Sequence, residues 1–272
     1  MVSPIRHVER TAWRANGCAA GRRAIPEETA VGFTYNASSY AVMMATPQDL
    51  EDFAVGFSLT EGIIQSPSEI ETLDVVEHPI GIELRMRLTE PQATAFIERR
   101  RYLAGPTGCG LCGIETLSEA MRPPVVVVDD STFAPREIMS ALTALYARQA
   151  LNEMTHAVHG AALYRKGEGL VALREDVGRH NALDKLAGAL ARSGIPGRGA
   201  LCVLSSRLSV ELIQKAAAIG TPVLVAVSAP TALAVRTAEA SGITLVAVAR
   251  EDGFEIFTGS QRIQEELPPA GI

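Results

Sequence analysis

From residue 157 onward, short apolar runs alternate with helical stretches of about ten residues, and few folds accommodate that rhythm. Runs at 157–164, 169–173, 200–204, 222–227 and 243–249 read as strands, with a last one at 254–257. Stretches at 135–150, 180–193, 209–219 and 231–240 read as helices. The run Ala200-Leu-Cys-Val-Leu204 is apolar throughout, as a strand buried on both faces must be. Strands separated by crossover helices pair in parallel and need cover on both sides. The predicted class is therefore α/β, with helices on both faces of a parallel sheet.

Upstream the pattern changes. Strands are predicted at 31–36 and 40–45. A helix start follows, with Thr46 as N-cap, Pro47 in the first helical position and acids from Asp49 to Asp52. Leu50, Phe53, Ala54, Phe57 and Leu59 line its apolar side, and Gly62 closes it. Between residues 80 and 88, apolar residues alternate with Glu83, Arg85 and Arg87, the period of a half-buried strand. Residues 91–102 read as a helix. The expected organisation is a loose lead-in over 1–25, a small α+β domain over 26–104, a glycine-rich loop and linker over 105–124, and the α/β domain over 125–272.

An apolar fraction of 47% with 21% charged residues is enough to build a buried core. A net charge of −6 argues against a nucleic-acid partner, which needs a basic face. No apolar run approaches the roughly 20 residues that span a bilayer, and Met1–Arg14 lacks the apolar core of a signal peptide. A cytoplasmic protein with reduced thiols and no membrane partner is expected.

Of four cysteines, Cys202 lies in an apolar strand and reads as core, and Cys18 in a polar stretch carries little weight. Cys109 and Cys112 stand in Gly108-Cys-Gly-Leu-Cys-Gly113. The flanking glycines leave both sulfurs bare of neighbouring side chains. Such a pair serves as a reactive thiol site, as half of a structural metal site, or as nothing in particular. A zinc site would require further ligands, for which only His156 and His159 offer themselves.

A second constellation falls where the predicted strands end, the place where open α/β sheets bind ligands. These ends carry Glu175-Asp-Val-Gly-Arg-His-Asn-Ala-Leu-Asp-Lys185, then Ser205-Ser206-Arg207, Ser228-Ala-Pro-Thr231 and Arg250. Hydroxyls and free N–H groups at helix starts favour phosphate, and arginines add fixed charge. Equally, Ser and Thr are ordinary caps and arginines ordinary surface residues. Arg179 and His180 present different polar heads at one helix start. His180 could act as an acid–base group, a stacking contact or a hydrogen-bonded start residue. Asp184 and Lys185 are expected to bridge locally.

These blocks resemble the formate dehydrogenase accessory sulfurtransferase family, FdhD. The resemblance rests on Thr46-Pro-Gln-Asp-Leu-Glu-Asp-Phe-Ala-Val-Gly-Phe57 with Glu61-Gly-Ile-Ile64, Cys109-Gly-Leu-Cys-Gly113 and the 175–185 block. It continues through Ser206-Arg207 with Glu211 and Lys215, and through Ser228–Thr231. It implies a cytidine-deaminase-like α/β/α domain at the C-terminus and a smaller N-terminal α+β domain. It implies that Cys109 accepts sulfur from a cysteine desulfurase as a persulfide, with Cys112 assisting or relaying. The sulfur would go to a molybdenum cofactor with two guanine dinucleotide arms, Mo-bis(molybdopterin guanine dinucleotide), destined for formate dehydrogenase; GDP would act as an analogue. The implied cofactor-binding stretch is Val248-Ala249-Arg250-Glu251-Asp252-Gly253, beside Arg207, Ser228, Thr231, Arg179 and His180. No resident metal ion is implied; a homodimer is.

Two departures stand out. The family commonly has Thr-Gly-Gly where this chain reads Thr155-His156-Ala157, and an aromatic near 248 and glycine after the arginine where Val248 and Glu251 stand. The alternative of a different class is a chaperone that carries the molybdenum cofactor without sulfur chemistry. A zinc-dependent deaminase would need a histidine–glutamate signature, and His159 is followed by Gly160-Ala161.

Overall fold

The computed structural model describes residues 2–103 and 125–265. Cys109 and Cys112 lie outside the described residues. Twelve strands and seven helices follow in order among those described: β1 Ile5–Arg14, β2 Gly17–Pro26, β3 Thr29–Tyr35, β4 Ser38–Ala45, α1 Leu50–Thr60, β5 Ile70–His78, β6 Gly81–Leu88 and α2 Glu90–Leu103. The chain continues with α3 Pro135–Arg148, α4 Ala150–Thr155, β7 His159–Arg165, β8 Gly169–Asp176, α5 Arg179–Arg192, β9 Ala200–Leu204 and α6 Val210–Ile219. It ends with β10 Val223–Ala226, α7 Ala232–Ala240, β11 Thr244–Arg250 and β12 Gly253–Thr258. The architecture is mixed α/β.

The C-terminal sheet has six strands in the order β12-β11-β10-β9-β7-β8. β9, β10 and β11 are parallel, as the intervening helices α6 and α7 require. The other three strands correct the all-parallel expectation. β7 and β8 form a hairpin, β7 runs antiparallel to β9, and β12 folds back on β11. Connections of two or three residues between β7 and β8, and between β11 and β12, are too short for a crossover. One face of the sheet buries Leu163, Cys202, Leu224 and Leu245 under α5, α6 and α7. The other buries Ala162, Val203, Val225 and Val246 under α3, through Ile138, Leu142 and Leu145.

The N-terminal unit is a four-stranded sheet, β4-β3-β6-β5, under α1 and α2. Phe33, Phe53 and Phe57 interlock in its core, with ring centroids 4.1–6.4 Å apart. The strand β5 has no counterpart in the sequence reading: its apolar residues Leu73, Val75 and Val76 are interrupted by Asp74 and are only half-buried. The lead-in over 1–25, expected to be loose, holds an antiparallel hairpin of β1 with β2. Arg, Gly and Ala hide the strand period there, because neither face of the ribbon is packed into a core.

Helix α1 begins at Leu50, with Asp49 in the left-handed region at φ 53°, and not with Pro47. Thr46 is taken by other work. Its N–H donates to Asp176 Oδ2 at 3.0 Å, its hydroxyl accepts from Val177 N–H at 3.1 Å, and its carbonyl accepts from Lys185 Nζ at 2.8 Å. A residue so held cannot also cap a helix. It clamps the N-terminal unit to the sheet domain.

Helices α1 and α5 meet backbone to backbone. A Cβ on Gly56 would sit 2.6 Å from Gly188 N, and one on Gly188 would sit 2.8 Å from Gly56 N. Ion pairs flank the crossing: Arg174 Nη2 to Asp52 at 2.7 Å, Arg192 Nη1 to Asp52 at 2.6 Å, and Arg192 Nη2 to Glu51. Among the described residues, no helix is long and apolar enough to cross a membrane.

Candidate functional site at the sheet edge

Since β8 runs antiparallel to β7 and β7 antiparallel to β9, the carboxyl ends of β8, β9, β10 and β11 lie along one edge, with His159 at the start of β7. Helix α5 springs from that edge. Asp176 ends β8 with its carboxylate fully buried. It accepts from Gly178 N–H at 2.7 Å and from Asn181 Nδ2 at 3.0 Å, and pairs with Lys185 Nζ at 2.6 Å. A Cβ on Gly178 would press within 2.7 Å of Asn181 Nδ2, so a side chain here would push the Asn181 amide off Asp176. The turn fixes Arg179 and His180 in the first helical positions, facing the edge.

The 175–185 block thus does two jobs, only one of which its sequence suggested. Asp184 and Lys185 do not bridge each other. Lys185 pairs with Asp176, whereas Asp184 accepts from Lys215 Nζ on α6 at 2.9 Å and from the Thr60 hydroxyl at 2.6 Å. Burial opposes charge on Lys215, but Asp184 and Glu61, 3.2 Å away, outweigh it and raise its pKa. Glu175 accepts from Leu151 and Asn152 N–H at 2.8 and 2.9 Å and so holds the start of α4. The four acid and base residues at 175, 176, 184 and 185 are fasteners.

Arg179 and His180 are what remains for a ligand. The Arg179 Nε is buried and has no hydrogen-bond partner among the described residues, an arrangement that costs stability unless an acceptor arrives. His180 Nε2 lies 3.3 Å from Ser209 Oγ and 3.9 Å from Glu211. Burial, together with the charges of Arg179 and Lys215, pushes the His180 pKa down to about 4. His159 is shifted in the same direction by burial, Arg179 and Arg207. Two imidazoles held neutral beside two guanidiniums make an edge that is cationic through its arginines and offers ring nitrogens in either hydrogen-bonding role. Alongside it, a cleft of about 660 Å³ runs between α5, α6 and the end of α1. Phe57, Leu190 and Ile219 line its wall, with His180, Glu211 and Lys215 at its polar end.

The remaining predicted residues divide. Arg207 is exposed just beyond β9, and its charge is felt at His159. Thr231 is the N-cap of α7 and accepts from Ala234 N–H at 3.2 Å, the bland role. The Ser228 carbonyl accepts from Val248 N–H at 3.5 Å. Val248 sits at φ 52°, a conformation that a β-branched residue adopts only when its surroundings impose it. Ala249 is buried, while Arg250, Glu251, Asp252 and Gly253 form the β11–β12 turn. Arg250 and Glu251 influence the hydroxyl of Tyr146 on α3, the helix on the opposite face from α5. The structure therefore brings Arg179, His180, His159 and Arg207 together, joins Ser228 to Val248, and sets the 250–253 turn toward α3. His159, Ser209 and Glu211 were missed as partners because they come from separate elements. Among the described residues, no group of three or more His, Cys, Asp or Glu side chains is arranged to hold a metal ion.

The family model for the FdhD/NarQ family matches residues 26–264. This chain belongs to the FdhD/NarQ family. It is similar to the sulfur carrier protein FdhD of Agrobacterium fabrum, with 54% identity over 260 residues covering 95% of this chain and 96% of the relative. The protein of the same name from Brucella abortus is 51% identical over 261 residues, covering 96% and 97%. The crystal structure assigned to a formate dehydrogenase accessory protein from Desulfotalea psychrophila superposes with a TM-score of 0.74 at 25% identity, covering 96% of this chain and all of that one. His156 occupies the left-handed region at φ 53° as the C-cap of α4, a conformation that favours glycine.

Proposed function

We propose that this chain carries sulfur on Cys109 from a cysteine desulfurase to Mo-bis(molybdopterin guanine dinucleotide), which it binds as substrate for delivery to formate dehydrogenase. Membership of a family of sulfur carriers supports the sulfur step, and the glycine-flanked Cys109 and Cys112 supply the thiols. The observation that carries the cofactor step is the buried Arg179 Nε, without a hydrogen-bond partner among the described residues, beside His180 at the carboxyl edge. A guanidinium donor there suits the pyrophosphate of a nucleotide arm, as carboxyl edges and helix starts do generally.

In the first step the Cys109 thiolate attacks the outer sulfur of the desulfurase persulfide. The new S–S bond forms as the old one breaks, and the desulfurase leaves as thiolate. The S–S bond of the Cys109 persulfide then breaks, the inner sulfur leaving as the Cys109 thiolate and the outer sulfur passing to the metal of the substrate, which supplies the two electrons that bring it to sulfide; Cys112 assists or relays. Arg179 and Arg207 offset pyrophosphate charge, Ser228 and Thr231 offer hydroxyls, and His180 orients the ligand without adding charge. The implied stretch 248–253 contributes through Val248 at the edge and Arg250 in its turn. The reaction takes place in the cytoplasm.

Incubation with a cysteine desulfurase and cysteine, followed by mass spectrometry of tryptic peptides, tests the reading. One added sulfur atom on the Cys109 peptide is expected, and none in Cys109→Ala. A Cys109→Ala protein that still accepts labelled sulfur and supports formate dehydrogenase activity would refute the assignment. Full activity with both loop cysteines changed to serine would make the protein a cofactor chaperone instead. Weakened GDP binding in Arg179→Ala, measured by calorimetry, is the matching test of the edge.

A further inference from the structure

Among the described residues, four buried side-chain atoms lack a hydrogen-bond partner: Arg179 Nε, Gln149 Nε2 and Oε1, and Ser241 Oγ. Buried polar groups are nearly always paired, so each of these calls for an explanation. Ser241 ends α7, at the opposite edge of the sheet. The other three flank the start of β7 at the carboxyl edge. Gln149 joins α3 to α4. Its carbonyl accepts from Glu153 N–H at 2.8 Å, but its side chain makes no cap to α4. The residue is 2% exposed, and its side chain lies over Gly160. A Cβ on Gly160 would sit 2.6 Å from Gln149 Nε2 and 2.7 Å from its Cδ, so the missing side chain makes the room. The polar groups beside Gly160 are already engaged. Its N–H donates to Ser205 Oγ at 2.8 Å, and its carbonyl accepts from Ser205 N–H at 3.0 Å. Glu175, opposite Gly160 on β8, serves Leu151 and Asn152.

The two orphaned side chains ask for different ligand groups. Arg179 Nε only donates, and phosphate oxygens answer it. The Gln149 amide holds a donor beside an acceptor, and phosphate repels its carbonyl oxygen. A group that answers both atoms must present an N–H next to a C=O. The lactam edge of guanine does so, and a pterin carries the same edge. We propose that Gln149 is a binding residue for such a lactam edge, its Oε1 accepting from the ring N–H and its Nε2 donating to the ring carbonyl. The assignment rests on the cofactor reading above and adds the part of the ligand that the arginines leave unread. Both amide atoms are shut off from solvent in this structure, so the glutamine side chain turns to meet its ligand. That turn breaks no hydrogen bond among the described residues, since the amide makes none. Tyr146, one turn earlier on α3, is half-exposed, and its hydroxyl feels the charges of Arg250 and Glu251. The end of α3 therefore reaches from the start of β7 to the implied stretch 248–253.

Calorimetry on the full chain tests this with three probes: GDP, the diphosphate of 2-aminopurine riboside, which lacks the lactam, and 6-carboxypterin. Gln149→Met keeps the length of the side chain and removes both polar atoms. The unaltered chain should bind GDP about tenfold or more tightly than the 2-aminopurine diphosphate, and the variant should bind the two alike. A variant weakened about tenfold toward 6-carboxypterin and unchanged toward GDP would support the proposal equally, with the pterin as the source of the edge. Without ligand the variant should unfold at a urea midpoint no lower than that of the unaltered chain, because two unsatisfied groups leave the interior. A variant that keeps full affinity for both GDP and 6-carboxypterin would overturn the proposal and leave the cofactor reading standing; a trapped water on the amide gives that result. A fall in the urea midpoint would make Gln149 a structural residue and overturn it too. An unaltered chain that binds neither GDP nor 6-carboxypterin would refute the cofactor reading and this assignment together.

Discussion

Gly56→Ala pits two local rules against each other. Alanine is the better helix former by about 1 kcal/mol, so propensity alone predicts a more stable α1. Geometry predicts the reverse. The added methyl would lie 2.6 Å from Gly188 N and 2.7 Å from the Asp184 carbonyl carbon, against backbone that has no flexible end to move aside. Ordinary van der Waals contact begins near 3.4 Å and the Asp184 carbonyl oxygen lies nearer to the added methyl than either of these atoms, so α1 and α5 would have to separate by well over an ångström. The ion pairs around the crossing, at 2.6 to 2.9 Å, tolerate little of that. Overpacking costs about 1–3 kcal/mol. Disturbing one buried pair adds a share of the about 3–5 kcal/mol that losing a partner costs. The net expectation is a loss of about 3 kcal/mol, read as a lower urea midpoint with unchanged slope. Gly188→Ala should act alike, and the two together should cost less than their sum, since one displacement relieves both clashes. A Gly56→Ala protein as stable as the parent, or more so, would refute the reasoning.

Lys185→Met should cost about 3 kcal/mol, because Asp176 stays buried without its countercharge while keeping the Thr46, Gly178 and Asn181 donors; a urea titration measures it, and a loss under 1 kcal/mol (about the worth of a surface pair) would show that those donors alone suffice. His180 should remain neutral from pH 8 down to about 5 when followed by NMR. Because its folded pKa is depressed below the unfolded value of about 6.5, the unfolded chain binds the extra proton first. His180 therefore contributes stability above that value and loses it as pH falls toward 4. An imidazole titrating above pH 6 in the folded protein would contradict this. Val248→Gly should cost less than about 1 kcal/mol, since relief of the left-handed strain offsets the lost packing; a larger drop in urea midpoint would show that Val248 is not strained.

What could be read from the residues was whatever repeats locally. The strands 200–204 and 223–226 and the helices that follow them announced themselves because each buries a continuous face. β5 and the β1–β2 ribbon escaped because half-burial and exposure leave no hydrophobic period to detect. Thr46-Pro47 carried a genuine cap pattern, yet Asp176 and Lys185, some 130 residues away, claimed the threonine. The strand-end motifs do fall along one edge of the sheet, and Arg179 and His180 lie there. The pairing of Asp184 with Lys215 in place of Lys185 was illegible, because adjacent residues on a helix point about 100° apart and only the fold decides whom each meets.

Helix α5 is one lever with two loads. Its first turn offers Arg179 and His180 to the sheet edge, and farther along the same cylinder Asp184, Lys185 and Gly188 grip the N-terminal unit through Thr60, Thr46 and Gly56. Any molecule that nudges the first turn must therefore pull on the grip. Conversely, a substitution at Gly56, on the far side of that grip, should tilt the two ligand-facing side chains without touching them.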